Sequence, residues 1–327
     1  MSALRAALPG SDLVVLRRAE STQPVEALEA AGAMVVSTMA DLLQTEPDLA
    51  VVASPAPLHL IHVLDLVDRV PTMLVEKPLA ANLDEAREVV AAVTRAETKV
   101  VVGYHLRFSP TVLAAAFEIE SSCGEVVSFD LRIGQALESW RPGVDASSSV
   151  SARRDLGGGV LLELSHELDA LGYLVGAGAR ARASLDSRGA HTDGLVETVA
   201  DVWIQTVAGA SGRIHLDMVS DPPFRIWNIA GTDSSVEIDL LSGEVWTRRP
   251  NGECELKFQG PGEERAIAEA NLIEHVLDVW RGTDVPRCTL DDGVAALGLV
   301  EASLASAASG GRDVRVRGSE ELGNRWT

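Results

Sequence analysis

The sequence predicts an α/β fold in two parts: a Rossmann-like parallel sheet first, then an open, mainly antiparallel sheet flanked by helices. Three observations predict it. Residues 12–102 contain short apolar runs separated by amphipathic stretches. Near residue 103 that pattern gives way to residues that alternate apolar and polar. From 195 to 258 such alternating runs are separated by turn-rich clusters of Gly, Ser, Asp and Pro. Continuous Val/Leu/Ala strands between helices suit a parallel sheet covered on both faces. Alternation suits strands with one face in water. The expected domains are 1–103 and 104–327.

In chain order, the parallel strands are expected at 12–16, 33–37, 49–53, 72–75 and 99–102. Helices fall between them near 24–31, 39–45, 57–69 and 83–96. The last begins with Asn82 and carries Glu85 three residues on, the spacing of a capping box. A helix near 110–120 and an alternating strand at 125–135 open the second part. A Ser- and Gly-rich segment, 143–159, leads into one helix over about 160–175. The runs VADVWIQTV, GRIHLDMV, FRIWNIAG and SVEIDLL follow as strands, and helices near 264–281 and 291–308 close the pattern.

Bulk composition narrows the function. With 46% apolar and 23% charged residues, the chain reads as a soluble globular protein. A formal net charge of −20 argues against a nucleic-acid surface, which needs clustered Lys and Arg. Cys123, Cys254 and Cys288 are far apart and lack metal-ligand spacing, so no metal site is expected. They fit a reducing, cytoplasmic setting better than a disulfide scaffold. No apolar run reaches the roughly 18 residues of a membrane span, and no membrane partner is expected.

Two stretches carry chemistry. Leu-Val-Glu-Lys-Pro-Leu at 74–79 sets Glu76 and Lys77 at the end of a buried parallel strand. In such sheets ligands collect beyond the carboxyl ends of the strands. A lysine there holds a reacting oxygen and stabilises charge developing on it; a solvated strand end is the plainer alternative. In GGGVLLELSHELD, at 157–169, Glu163 and His166 stand three apart and are expected on one helical face. A carboxylate beside a histidine orients the ring and raises its basicity. A surface helix with a polar stripe would carry the same residues.

These stretches together resemble the Gfo/Idh/MocA family of nicotinamide-dependent oxidoreductases, and they do so in family order. DLAVVASPAPLHLIHVLDL is similar to the family's fourth strand, with Pro55 and His59 in the family spacing. VEKPLA at 75–80 is the family's most recognisable motif, and VVGYHLRFSP at 101–110 resembles its linker. GGGVLLELSHELDALGYLVG at 157–176 resembles its active-site helix, and TLDDGVAALGLVEASLASAASG its closing helix. The resemblance implies hydride transfer between a nicotinamide cofactor and a carbon of a sugar, sugar derivative or cyclitol. It implies Lys77, His166 and Glu163 as catalytic residues and Ser54, Pro55, His59, Glu76 and Lys77 at the cofactor. Many members carry an Asp four residues before the histidine, where this chain has Leu162; another branch uses the position held by Glu163. Arg107, Trp140, Arg141, His166 and Asp169 are the implied substrate residues. A homodimer or homotetramer is implied as well. A glycosidase that uses bound NAD, as in one branch of the family, is an alternative.

The family's first strand and its Gly-x-Gly-x-x-Gly turn are not found in the opening residues. SDLVVLRRAEST reads instead as strand two. A start downstream of the true one, a genuine short form, and a non-catalytic binding or partner protein each account for this. The first strand would sit between strands two and four, so two inner strand edges are expected to lack a partner. The end of strand two carries Arg17, Arg18, Ser21 and Thr22 in place of an acidic residue, which favours NADP over NAD.

Overall fold

A computed structural model of the chain describes residues 2–17, 25–140, 149–188, 196–262 and 264–318. Its first part runs α1 (Ser2–Ala7), β1 (Leu13–Leu16), α2 (Val25–Ala30), β2 (Ala33–Val36) and α3 (Met39–Leu43). It continues with β3 (Leu49–Val52), α4 (His59–Leu66), β4 (Thr72–Val75), α5 (Leu83–Ala96) and β5 (Lys99–Val102). Polar caps start two of the helices. The Thr38 side chain accepts from the Asp41 backbone N–H at α3. At α5, Asn82 accepts from the Glu85 N–H and its amide donates to the Glu85 carboxylate, each at 2.9 Å. Both devices satisfy N–H groups that a helix start leaves open.

All the pairing among these five strands is parallel, but it falls into two sheets. Among the described residues β1 pairs only with β2, with Leu13 opposite Ala33. β3, β4 and β5 form the other sheet, with Leu49 opposite Thr72 and Thr72 opposite Lys99. In a doubly wound order of 3-2-1-4-5-6, β2 and β1 take the first two positions and β3, β4 and β5 the last three. Among the described residues no strand lies in the position between β1 and β3.

The second part begins with α6 (Pro110–Ser122), β6 (Val126–Gly134), α7 (Leu137–Trp140), α8 (Val160–Glu163), α9 (His166–Leu174) and β7 (Gly178–Asp186). Then come β8 (Val199–Thr206), β9 (Ser211–Asp217), β10 (Phe224–Gly231), β11 (Ser235–Asp239), β12 (Glu244–Arg248) and β13 (Cys254–Gln259). α10 (Arg265–Arg281), α11 (Leu290–Ala308) and β14 (Val314–Arg315) complete it. One nine-stranded sheet, ordered β13-β12-β11-β10-β6-β9-β8-β7-β14, holds all of these strands. Its pairs are antiparallel except β6 with β9, which run parallel with Ser128 opposite Ser211.

Leu131, Ile133, Ile214, Leu216, Trp227 and Ile229 are buried on one face of this sheet. By the two-residue period of a strand, Asp130, Arg132, Asp201, Arg213 and His215 stand on the other and pair there with one another. α11 packs against β7, α9 and α5, and so joins the sheet to the parallel half.

Two expectations need correction. The single helix expected over 160–175 is broken: α8 ends at Glu163, and α9 starts at His166 after Leu164 leaves helical geometry at φ −99°, ψ 26°. β7 was not expected, because its Ala-Arg alternation has little intrinsic strand preference; tertiary burial of Ala181 and Ala183 secures it.

Candidate active site

Glu76 and Lys77 leave the carboxyl end of β4, a strand whose four residues are all buried. Gly103, just after β5, lets the neighbouring strand end approach closely. A Cβ at that position would lie 2.8 Å from Glu76 Oε2 and 3.1 Å from Glu76 Cα. Burial raises the Glu76 pKa, against the backbone N–H and charge of Lys77. The Lys77 side chain crosses to the second part and donates to the Glu163 carbonyl at 2.7 Å. A longer contact, 3.5 Å, reaches the Leu162 carbonyl. These are carbonyls at the end of α8, where backbone acceptors are left over. An ammonium has three donors, so one remains for a substrate oxygen.

The triple glycine sets the start of α8. Gly159 caps the helix at φ +116°, and a Cβ there would lie 2.5 Å from Glu197 Oε1. Glu197 then serves the helix start: its carbonyl accepts from the Val160 N–H at 2.9 Å and its carboxylate from the Leu161 N–H at 3.4 Å. The break after α8 turns the chain so that His166 opens α9 as a buried residue. Its ring meets Tyr104 edge-on with centroids 5.5 Å apart, and His105 with centroids 4.4 Å apart. Burial first, then His105, Lys77, Arg225 and Arg265, push the His166 pKa well below the usual imidazole range. His105 is driven down to about 3 by burial and then by Arg225, Arg265 and Lys77. Both rings are therefore neutral near pH 7. Lys77, His105, His166 and Arg225 thus converge from four separate elements.

Glu163 is not the partner of His166 that its spacing predicts, because the helix break removes the shared face. Its Oε2 accepts from Ser151 Oγ at 3.1 Å instead. Arg107 and Asp169, expected at the substrate, are buried against each other. Arg107 donates through Nε and Nη2 to both Asp169 oxygens at 2.7–3.2 Å. It also lies 3.2 Å from Asp292. These residues line, with Tyr173 and Arg287, a cavity of about 290 Å³ between α9 and α11. Their polar atoms are thus joined to one another in the wall of that cavity. Trp140 is half-buried, its Nε1 donating to the Gln135 carbonyl at 3.2 Å.

At the end of β3, Ser54 Oγ lies 3.0 Å from His62 Nδ1. Pro55 leads into a 3-10 turn at Ala56–Leu58. His59 is buried between the Pro78 carbonyl, 2.9 Å from Nδ1, and the Ser54 carbonyl, 2.7 Å from Nε2. It ties the end of β3 to the segment after β4. Arg17 follows β1 and donates its backbone N–H to the Val36 carbonyl at 2.9 Å. Arg18, Ser21, Thr22 and Arg141 lie outside the described residues.

His105, Glu167, Glu197 and Arg225 were not singled out by the sequence. His105 had a usable signal, since it stands just past the carboxyl end of a parallel strand. Arg225 had none: it reaches the site from β10, 58 positions from its ion-pair partner Glu167 at 2.7 Å. Among the described residues no group of three or more His, Cys, Asp or Glu is arranged to hold a metal ion. Among the same residues no helix is long and apolar enough to cross a membrane.

Known proteins share this architecture. The chain is 26% identical over 288 residues to 1,5-anhydro-D-fructose reductase of Ensifer adhaerens, covering 84% of this chain and 82% of that protein. It is 25% identical over 313 residues to inositol 2-dehydrogenase of Rubrobacter xylanophilus, covering 93% and 85%. Levoglucosan dehydrogenase, solved in complex with NADH and levoglucosan, superposes with a TM-score of 0.82 at 19% identity, covering 97% of this chain and 94% of that one. The WlbA dehydrogenase of Bordetella pertussis, in complex with NADH and UDP-GlcNAcA, gives 0.75 at 22% identity, with 93% and 89% covered. Residues 1–104 match the oxidoreductase-family domain described as an NAD-binding Rossmann fold, and residues 119–316 match the family's C-terminal alpha/beta domain. The chain belongs to the Gfo/Idh/MocA oxidoreductase family.

Proposed function

We propose that this protein is a cytoplasmic NAD(P)-dependent oxidoreductase acting on a hydroxyl or carbonyl carbon of a sugar, sugar derivative or cyclitol. The observation that carries the reading is Lys77. Its ammonium extends from the Rossmann-like half to the segment that bears His166, which supports a shared reaction site for the two residues. The polar groups at the ends of β3 and β4, the Ser54 hydroxyl, the Glu76 carboxylate and the Lys77 ammonium, offer donors and an acceptor suited to the nicotinamide end of a dinucleotide. The cofactor, when bound, supplies the hydride acceptor or donor. Lys77 holds the reacting oxygen and stabilises negative charge on it. His166, neutral at pH 7, takes the proton from the hydroxyl or returns it to the carbonyl oxygen.

Replacing Lys77 or His166 by Ala should lower turnover by about a hundredfold or more, the usual scale for a lost acid–base group. Steady-state assays with circular dichroism as the folding control decide this, and near-wild-type turnover in both variants defeats the assignment. An NADP preference is the second element of the reading, supported by the sequence after β1, where Arg17, Arg18, Ser21 and Thr22 stand in place of an acidic residue. Fluorescence titration of both reduced cofactors should give tighter NADPH binding, and tighter NADH binding would reverse it. A homodimer or homotetramer is proposed from the broad open face of the nine-stranded sheet. Sedimentation equilibrium returning a single chain would contradict that.

A further inference from the structure

The segment that carries His166 holds three carboxylates, and each is engaged elsewhere. Glu163 accepts from Ser151, Glu167 pairs with Arg225, and Asp169 pairs with Arg107. His166 Nδ1 is buried and has no hydrogen-bond partner. The ring is instead held by other rings. His105 packs against it with centroids 4.4 Å apart and planes at 67°, and Tyr104 flanks it at 5.5 Å and 82°. Burial aside, the largest charge effects on it come from His105 and then from positive groups on neighbouring elements: Lys77 after β4, Arg225 on β10 and Arg265 at the start of α10. A histidine backed by a carboxylate keeps its proton to higher pH; one set among cations and a second neutral ring gives it up.

We propose that His105 replaces the carboxylate partner of His166, as a positioning residue that orients the ring by edge-on packing and leaves it an uncharged proton acceptor suited to oxidising an alcohol. The inference rests on the proposed role of His166 in proton transfer. In the oxidation, the hydroxyl proton goes to the imidazole while the C–H pair leaves as hydride to an oxidised nicotinamide. The C–O bond becomes C=O, and the alcohol carbon loses two electrons.

The balance of charges makes the arrangement measurable. Imidazole ¹⁵N spectra of the full chain without cofactor, assigned for His166 by the signal lost in His166→Gln, should show a neutral ring at and well below the ordinary value of about 6.5. His105→Asp adds a negative charge beside the ring and should raise the His166 titration by about one unit or more. The acid limb of kcat/KM for oxidation should move up with it. His105→Asn should move that limb far less than His105→Asp does and lower kcat about tenfold with KM held, the mark of lost positioning without lost substrate contact. Native His166 titrating at or above about 6.5, or unmoved in His105→Asp, overturns the proposal. So does a His105→Asn variant with unchanged kcat or with its loss confined to KM. Should His105→Asp fail to fold, the native titration and the Asn variant still decide. If His166→Gln oxidises substrate at the native rate while the spectra behave as expected, the proton-transfer role falls and the ring pairing stands.

Discussion

β1 and β4 are both four-residue parallel strands, Leu-Val-Val-Leu and Thr-Met-Leu-Val, and their surroundings differ sharply. All four residues of β4 are buried, with β3 on one edge and β5 on the other. All four of β1 are half-buried, and among the described residues β2 is its only partner. Apolar character is shared; neighbours on both edges are not. The difference teaches that burial belongs to the sheet, since a strand removes its side chains from water only when adjacent strands and helices cover it. The chemistry follows the same division. Lys77 and His105 extend from the well-packed ends of β4 and β5, which keeps their groups in place.

The contrast can be pressed experimentally. Trp227, fully buried in the nine-stranded sheet, should cost about 3–5 kcal/mol when replaced by Ala. Val14→Ala, on half-buried β1, should cost about 1 kcal/mol or less. Urea melts of the two variants test the pair, and equal losses would erase the distinction. A finer version is native-state hydrogen exchange: β1 amides should exchange through local opening, and Leu131 and Ile214 only with global unfolding.

The smallest effect lies on the exposed face of the sheet. His215 is bonded to Asp217 at 3.1 Å and Asp201 at 2.9 Å. The Asp217 bond first, then Asp201, raise its pKa against partial burial. A raised folded value means the charged form stabilises the fold. That contribution is complete below the unfolded value of about 6.5 and disappears as pH rises through the folded value. His215→Gln should remove this slope from stability measured between about pH 5.5 and 8.5. An identical slope in the variant would rule the pair out as its source.

Much of the scaffold is legible in the residues themselves. Each parallel strand announces itself as a Val/Leu run, and Asn82 with Glu85 marks the start of α5. Lys77 stands out because a strand end followed by a proline is a local signal. The remainder of the site is set by tertiary contacts that no local period encodes. Glu163 and His166 keep a helical spacing in sequence, yet the turn at Leu164 separates them. Arg107 and Asp169 line a cavity, but nothing in their spacing shows that their side chains are joined to each other there. Arg225 enters from a strand whose alternation gives only its face, with nothing to indicate Glu167 opposite.

The parallel pairing of β6 with β9 has a consequence during synthesis. β6 ends at Gly134, while its two neighbours begin only at Ser211 and Phe224. At roughly 5–20 residues per second on the ribosome, the nine-residue strand must wait several seconds with both edges unpaired. The middle of the large sheet is therefore completed late in translation. Until β9 emerges, the nascent chain exposes an apolar ribbon for which a chaperone would compete.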